Sequence, residues 1–157
     1  MKIFKLDHSI NQIKKLKRQG KKIVLVGGCF DILHPGHVRF LGSARETSDI
    51  LVVALESDQK VRLLKGAGRP VFSQEERAEM LSDLSFVDMV ILLPMMIGGK
   101  PYAEMVEIIK PEVIAVTHDD PLLKKKKTEA ERYGGKLVVV IPRLKEYSTT
   151  KLIKKCK

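Results

Sequence analysis

The sequence predicts an α/β fold: one domain built on a doubly wound parallel sheet of about five strands. Two observations carry this expectation. Short apolar runs rich in β-branched residues alternate with stretches of helical period along the chain. Each run is apolar on both faces, as strands covered by helices on either side must be. A length of 157 residues suits a single domain with a sizeable core.

Residues 1–20 mix apolar positions (Ile10, Ile13, Leu16) with Lys14, Lys15 and Lys17, the pattern of a basic amphipathic surface helix. Residues 23–26 form the first strand, and Gly27-Gly28 the turn after it. A helix over 35–45 follows, with Pro35 at its first position, where a missing N–H costs nothing. The second strand is 50–55. Residues 60–72, with Gly66, Gly68 and Pro70, read as a loop. Ser73 and Glu76 make a capping box for a helix over 74–84. Then come a strand at 89–93, a helix at 102–109, a strand at 113–116, a helix at 122–133 stopped by Gly134-Gly135, and a strand at 137–141. Such alternation implies right-handed crossovers and a ligand site beyond the C-terminal strand ends. His34, His37, Ser57, Asp58, His118, Asp119, Asp120 and Arg143 all follow strands and are expected to converge there.

Composition narrows the function. The net charge of +10 invites a nucleic-acid partner, but the lysines are spread along helices and aromatic residues, at 5%, are too few to form stacking platforms. The run Lys124-Lys125-Lys126-Lys127 reads as a solvated face. No apolar run reaches the ~18 residues a bilayer needs, and residues 1–20 hold no signal-peptide stretch. Cys29 and Cys156 fit neither a disulfide framework nor metal-ligand spacing, so a reducing cytoplasm is the expected setting and no protein-held metal is expected.

The chemistry concentrates in Gly27-Gly28-Cys29-Phe30-Asp31-Ile32-Leu33-His34-Pro35-Gly36-His37. Two histidines three residues apart at a helix start project from one face of its first turn. They stand beside unpaired N–H groups and the positive end of the helix dipole, a ready site for phosphate. Gly36 has no Cβ and lets a ligand approach the backbone.

Phe30-Asp31-x-x-His34-x-Gly36-His37 resembles the signature of the cytidylyltransferase-like nucleotidyltransferases, and more distantly the His-Ile-Gly-His element of class I aminoacyl-tRNA synthetases. Two further blocks keep the family's order. One is Lys65-Gly66-x-x-Arg69-Pro70 with Glu76-Arg77-x-x-Met80-Leu81 and Val87-Asp88; the other is Tyr147-Ser148-Thr149-Thr150-Lys151. The resemblance implies a Rossmann-like fold. It also implies attack by a phosphorylated small molecule on the α-phosphate of a nucleoside triphosphate, with release of pyrophosphate. His34 and His37 would donate hydrogen bonds to the phosphates. Lys65 would clamp from a lid over residues 60–72, and Arg77 would grip phosphate oxygens. Ser148 and Thr149 would cap the last helix and hold the β- and γ-phosphates. Gly28, Cys29, Phe30, Asp31, Gly36, Asp119, Asp120, Arg143 and Tyr147 would complete the nucleotide site. For Asp31 the alternative is organising the turn, for Cys29 packing, and for Asp119 and Asp120 a turn. Mg²⁺ accompanies the triphosphate, and a homodimer is expected.

Residues 21–88 look most like the nucleotidyl-transfer domain of ADP-heptose synthases, which use ATP. Arg143 matches an arginine of glycerol-3-phosphate and choline-phosphate cytidylyltransferases and tips the choice towards CTP. The alternatives are adenylyl transfer of the ADP-heptose synthase or archaeal FAD synthetase type, and a nucleotide- or RNA-binding module without chemistry. A dehydrogenase is disfavoured, because no Gly-x-Gly-x-x-Gly follows the first strand.

Overall fold

Strand propensity and a period of two build the centre of the sheet. In the run from Ile23, the side chains of Ile23 and Leu25 enter one core cluster while Val24 and Val26 enter the other. The computed structural model of the protein describes residues 2–141 and 149–155. Its elements are β1 (Ile3–Lys5), α1 (Leu6–Arg18), β2 (Ile23–Gly28), α2 (Pro35–Arg45), β3 (Ile50–Leu55), α3 (Asp58–Lys65), α4 (Gln74–Ser82), β4 (Met89–Leu92), α5 (Lys100–Ile109), β5 (Val113–Thr117), α6 (Leu123–Arg132), β6 (Lys136–Ile141) and α7 (Thr149–Lys155). The strands lie in the order β1-β4-β3-β2-β5-β6, every pair parallel. From β2 the chain winds through β3 to β4, then crosses back to β5 on the other side of β2. The strand order therefore reverses between β2 and β5, which is where an open sheet of this kind leaves its ligand crevice.

Most expected elements stand within two residues of their expected ends, and 35–45 and 50–55 coincide with α2 and β3. Two expectations are corrected. Residues 1–20 are not one helix: Ile3–Lys5 pair with β4, Ile3 opposite Val90 and Lys5 opposite Leu92, and form a sixth strand at the edge. A three-residue strand is too short to show a period, and its pairing is a tertiary effect. Residues 60–72 are not all loop either. Ser57 Oγ accepts from Lys60 N at 3.3 Å and caps α3, which runs to Lys65, so the irregular segment starts at Gly66.

Three carboxylates close the end of the sheet away from the crevice. Asp49 accepts from Lys22 N (2.9 Å), Glu112 from Ile23 N (2.7 Å) and Asp88 from Leu51 N (2.8 Å). Asp88 also pairs with Arg45 Nε at 3.1 Å, and Glu112 with Lys17 Nζ at 2.8 Å. Backbone N–H groups at strand starts have no ladder partner, and a charged acceptor satisfies them strongly. Asp88→Ala is expected to cost about 2 kcal/mol. The check is a lower denaturant midpoint at unchanged slope, with ligand binding intact because Asp88 lies at the far end of the sheet from the turn after β2.

Candidate active site

The turn after β2 is shaped by one aromatic ring. Phe30 takes a positive φ of 43°, rare for a residue with a Cβ, and its ring folds back over the strand end. A Cβ on Gly28 would lie 2.8 Å from Phe30 Cε2, so only glycine lets the ring tuck in. Phe30 meets the His37 ring edge-on, centroids 5.2 Å apart, and His37 stacks on His34 at 3.7 Å and 18°. The two imidazoles thus stand as one unit at the head of α2. His34 is the N-cap, with φ −143° and ψ 166°. Its Nδ1 accepts from His37 N at 3.3 Å, and its carbonyl accepts the same N–H at 2.9 Å. A neutral His34 whose Nδ1 accepts must carry its proton on Nε2. Pro35 and Gly36 occupy the first two positions of the helix.

Neither ring is a cation at neutral pH. Burial pushes His37 down to about 4; the neighbouring His34 adds to this, while the Ile32 carbonyl and Asp31 oppose it. Burial also lowers His34, against the pull of its own backbone. What the pair offers an anion is hydrogen-bond donation, and positive charge must come from elsewhere. Lys65 is exposed at the last residue of α3. Its ammonium acts on the Cys29 thiol, partly offsetting the burial that pushes that thiol up.

Asp31 organises the turn. Its carboxylate is buried, accepts from Val71 N (2.7 Å) and Phe72 N (3.4 Å), and pairs with Arg69 Nε. The segment after Gly66 is thereby tied to the histidine loop. Arg77 is a correction: its side chain is 0% exposed, and its guanidinium does not reach the crevice. It donates to Cys29 O, to Phe72 O at 3.1 Å, to Glu56 O at 2.9 Å and to Asp58 Oδ1 at 2.7 Å. The fork that would suit phosphate oxygens is committed to three backbone carbonyls and a carboxylate. The sequence held a signal for this, since Arg77 adjoins Ala78 and Leu81 on the buried face of α4.

Asp119 lies exposed beside the His118 ring (3.2 Å), while Asp120 accepts from Leu122 N (2.8 Å) and Lys126 Nζ (2.7 Å). Both behave first as turn residues, though Asp120 also borders a cavity. Thr149 opens α7; Arg143, Tyr147 and Ser148 lie outside the described residues. The cavity, about 590 Å³, opens beside Gly27, Gly28 and Cys29 on the side of α5 and α6. Glu56, Lys60, Tyr102 and Lys125 line it, and sequence reading missed all four. Only Glu56, directly after β3, had a signal: a charged residue at the C-terminal end of a central strand.

Two measurements test these assignments. An unfolded imidazole takes up its proton near 6.5, whereas folded His37 does so only near 4. Between those values the unfolded state binds more protons, so stability is full above about pH 6.5 and falls as pH drops towards 4. Melting temperature followed against pH should show that acid limb, flattened in His37→Gln. Arg77→Met should cost about 3–5 kcal/mol by stranding buried acceptors. If Arg77 bound phosphate instead, the variant would melt normally and lose only triphosphate affinity.

Comparison with known proteins extends this picture. The cytidylyltransferase-like family pattern matches residues 25–155. The bifunctional protein HldE of Geotalea uraniireducens is 39% identical over 155 residues, covering 98% of this chain and 31% of its own. That of Nitrobacter hamburgensis is 41% identical over 149 residues, covering 95% and 30%. The chain thus spans under a third of the length of these curated relatives. Among solved structures, the lipopolysaccharide core biosynthesis protein from Thermoplasma volcanium is 28% identical with a TM-score of 0.62, over 82% of this chain and 100% of that one. A pantoate-beta-alanine ligase from Francisella tularensis, 15% identical with a TM-score of 0.65 over 98% and 76%, shares the fold. Because the family pattern runs from within β2 to the end of α7, the likeness is one of architecture as well as motif, and the chain belongs to the cytidylyltransferase-like family.

Proposed function

We propose that this chain transfers a nucleotidyl group from a nucleoside triphosphate to a phosphorylated small molecule, with release of pyrophosphate. The observation that carries this is the pair of stacked, uncharged imidazoles at the open N-terminus of α2, beyond the end of β2. An oxygen of the acceptor's phosphate attacks the α-phosphorus. The new P–O bond forms as the bond to the α–β bridging oxygen breaks, and its electron pair leaves with pyrophosphate. A phosphate monoester at neutral pH is already a nucleophile, so no serine, cysteine or general base is required. Catalysis is then positioning and stabilisation of charge on the departing oxygens. His34 Nε2–H and the N–H of Gly36 in the first turn of α2 are the donors, since Pro35 has no N–H and those of His37 and Val38 are taken by His34. Lys65 brings a cation from the end of α3. Among the described residues no three His, Cys, Asp or Glu side chains gather as a metal cage, so Mg²⁺ would arrive held by the triphosphate's own oxygens. A homodimeric enzyme in the cytoplasm completes this reading; no helix among the described residues is long and apolar enough to cross a membrane.

Arg143, which tips the donor towards CTP, lies outside the described residues. The resemblance of residues 21–88 to the nucleotidyl-transfer domain of ADP-heptose synthases, which use ATP, favours a second reading with ATP. A pyrophosphate-release assay crossing ATP and CTP with phosphate monoesters separates the two. His34→Ala is expected to lower kcat about 10²–10³-fold, well beyond what the roughly 1 kcal/mol lost with its helix cap explains. Lys65→Ala is expected to lower kcat with unchanged melting temperature. Turnover close to wild type in His34→Ala would remove the imidazole from the mechanism.

A further inference from the structure

The cavity beside the turn has a composition that says what can fill it. At about 590 Å³ it holds the body of a small organic molecule. Its floor is Leu25, Ala54, Leu93, Met105, Val106 and Ile114, none of which carries a strong hydrogen-bonding group in its side chain. Polar side chains surround this floor, and on the α6 side Asp120 and Lys126 are already paired with each other at 2.7 Å, beside Glu129. Glu56 Oε1 accepts from the Tyr102 hydroxyl at 2.8 Å, while Oε2 is buried with no hydrogen-bond partner. Lys60 Nζ donates to Met96 O at 3.0 Å and lies 5.6 Å from the Tyr102 ring centroid. Lys125 reaches in from α6 across Gly99, where a Cβ would lie 1.8 Å from its Nζ, so glycine at 99 leaves the ammonium its place. The cavity shares Gly27, Gly28 and Cys29 with the histidine turn, and Glu56 N donates to Gly28 O at 3.1 Å, which fixes the acidic wall to that turn.

Resting on the nucleotidyl-transfer reading, we infer that this cavity takes the acceptor, and that the acceptor is a phosphate monoester with an apolar body carrying a single hydroxyl or N–H donor. The unpartnered Glu56 oxygen is an acceptor waiting for one such donor. Lys125 and Lys60 favour an anion, and the cavity adjoins the histidine turn through Gly27, Gly28 and Cys29. A sugar phosphate would instead turn hydroxyls onto the alkyl floor, where those facing Leu25, Ala54, Val106 and Ile114 lose their water and meet no side-chain partner.

The test is calorimetric titration of the full chain with 4-hydroxybenzyl phosphate, benzyl phosphate and mannose 1-phosphate, followed by pyrophosphate release with each. The hydroxybenzyl ester is expected to bind at least tenfold more tightly than mannose 1-phosphate. Glu56→Gln should remove most of its advantage over the benzyl ester. Val106→Phe, which fills the floor, should weaken both aromatic esters tenfold or more while triphosphate affinity is kept. Circular dichroism checks that this variant folds, and Glu56→Gln stands independently of it. Equal or tighter binding of mannose 1-phosphate would overturn the inference and leave nucleotidyl transfer standing. Tight binding of the hydroxybenzyl ester without pyrophosphate release from any triphosphate would overturn the acceptor role and the catalytic reading, leaving only the cavity's ligand chemistry.

Discussion

One buried guanidinium sets the geometry of the cleft. Arg77 ties together Cys29 of the turn, Glu56 at the end of β3, Phe72 of the irregular segment and Asp58 at the start of α3. These points come from three separate stretches of the chain, the turn after β2, the β3–α3 junction and the segment before α4, and one guanidinium binds all three. A lysine could not replace it, since three donors on a point charge cannot reach four acceptors spread around a plane. The arrangement is also economical in desolvation: Asp58 remains 36% exposed, so only one partner of the ion pair is fully withdrawn from water. Asp31 is the complementary device. Its buried carboxylate grips Arg69 and the Val71 N–H, so the segment after Gly66 is held from both ends of the same turn.

The distribution of charge follows a related logic. The chain carries +10 overall, yet the two rings closest to the expected phosphates are neutral. Packing Phe30 against His37, and His37 against His34, excludes water and disfavours the imidazolium form. A neutral donor held at fixed geometry binds an anion without strong attraction to every passing phosphate, and it can tighten as charge builds on an oxygen. Cations stand on exposed helix ends, as at Lys65, where water keeps them charged and flexible stems can bring them in.

How much of this was legible depended on whether the governing force was local. Strand period, the Pro35 start of α2 and the Ser73–Glu76 capping box are local, and they appear where expected. The edge strand β1 exists only through its pairing with β4, and nothing within Ile3–Lys5 announces it. The histidine pair was legible as a motif, but its neutrality was not, because that comes from Phe30 folding back over Gly28. Arg77 shows the opposite failure. A family motif identified the residue, chemistry suggested phosphate, and only the surrounding carbonyls reveal that its donors are already engaged. The cavity was invisible because its lining comes from β2, β3, β5, α3, α5, α6 and the segments that follow β2, β3, β4 and β5, each contributing one or a few residues.

On the proposed reaction, the position of β2 gives two substrates separate approaches. Its alternating side chains feed two cores: Val24 and Val26 belong to the cluster that includes Leu41 and Ala44 of α2, while Leu25 belongs to the one that includes Met105 and Val106 of α5. The histidines therefore rise on one face of the sheet, and the cavity opens on the other. Gly27, Gly28 and Cys29 line the cavity's side as a low wall at the end of the strand, and the Phe30 ring packs between Gly28 and His37. A displacement at phosphorus needs the attacking and leaving oxygens on opposite sides. A phosphate held over α2 and an acceptor rising from the α5–α6 side would approach across that low glycine wall from opposite directions. On this view Gly28 serves both sides at once: its missing Cβ leaves room for the Phe30 ring that supports His37, and its backbone borders the cavity.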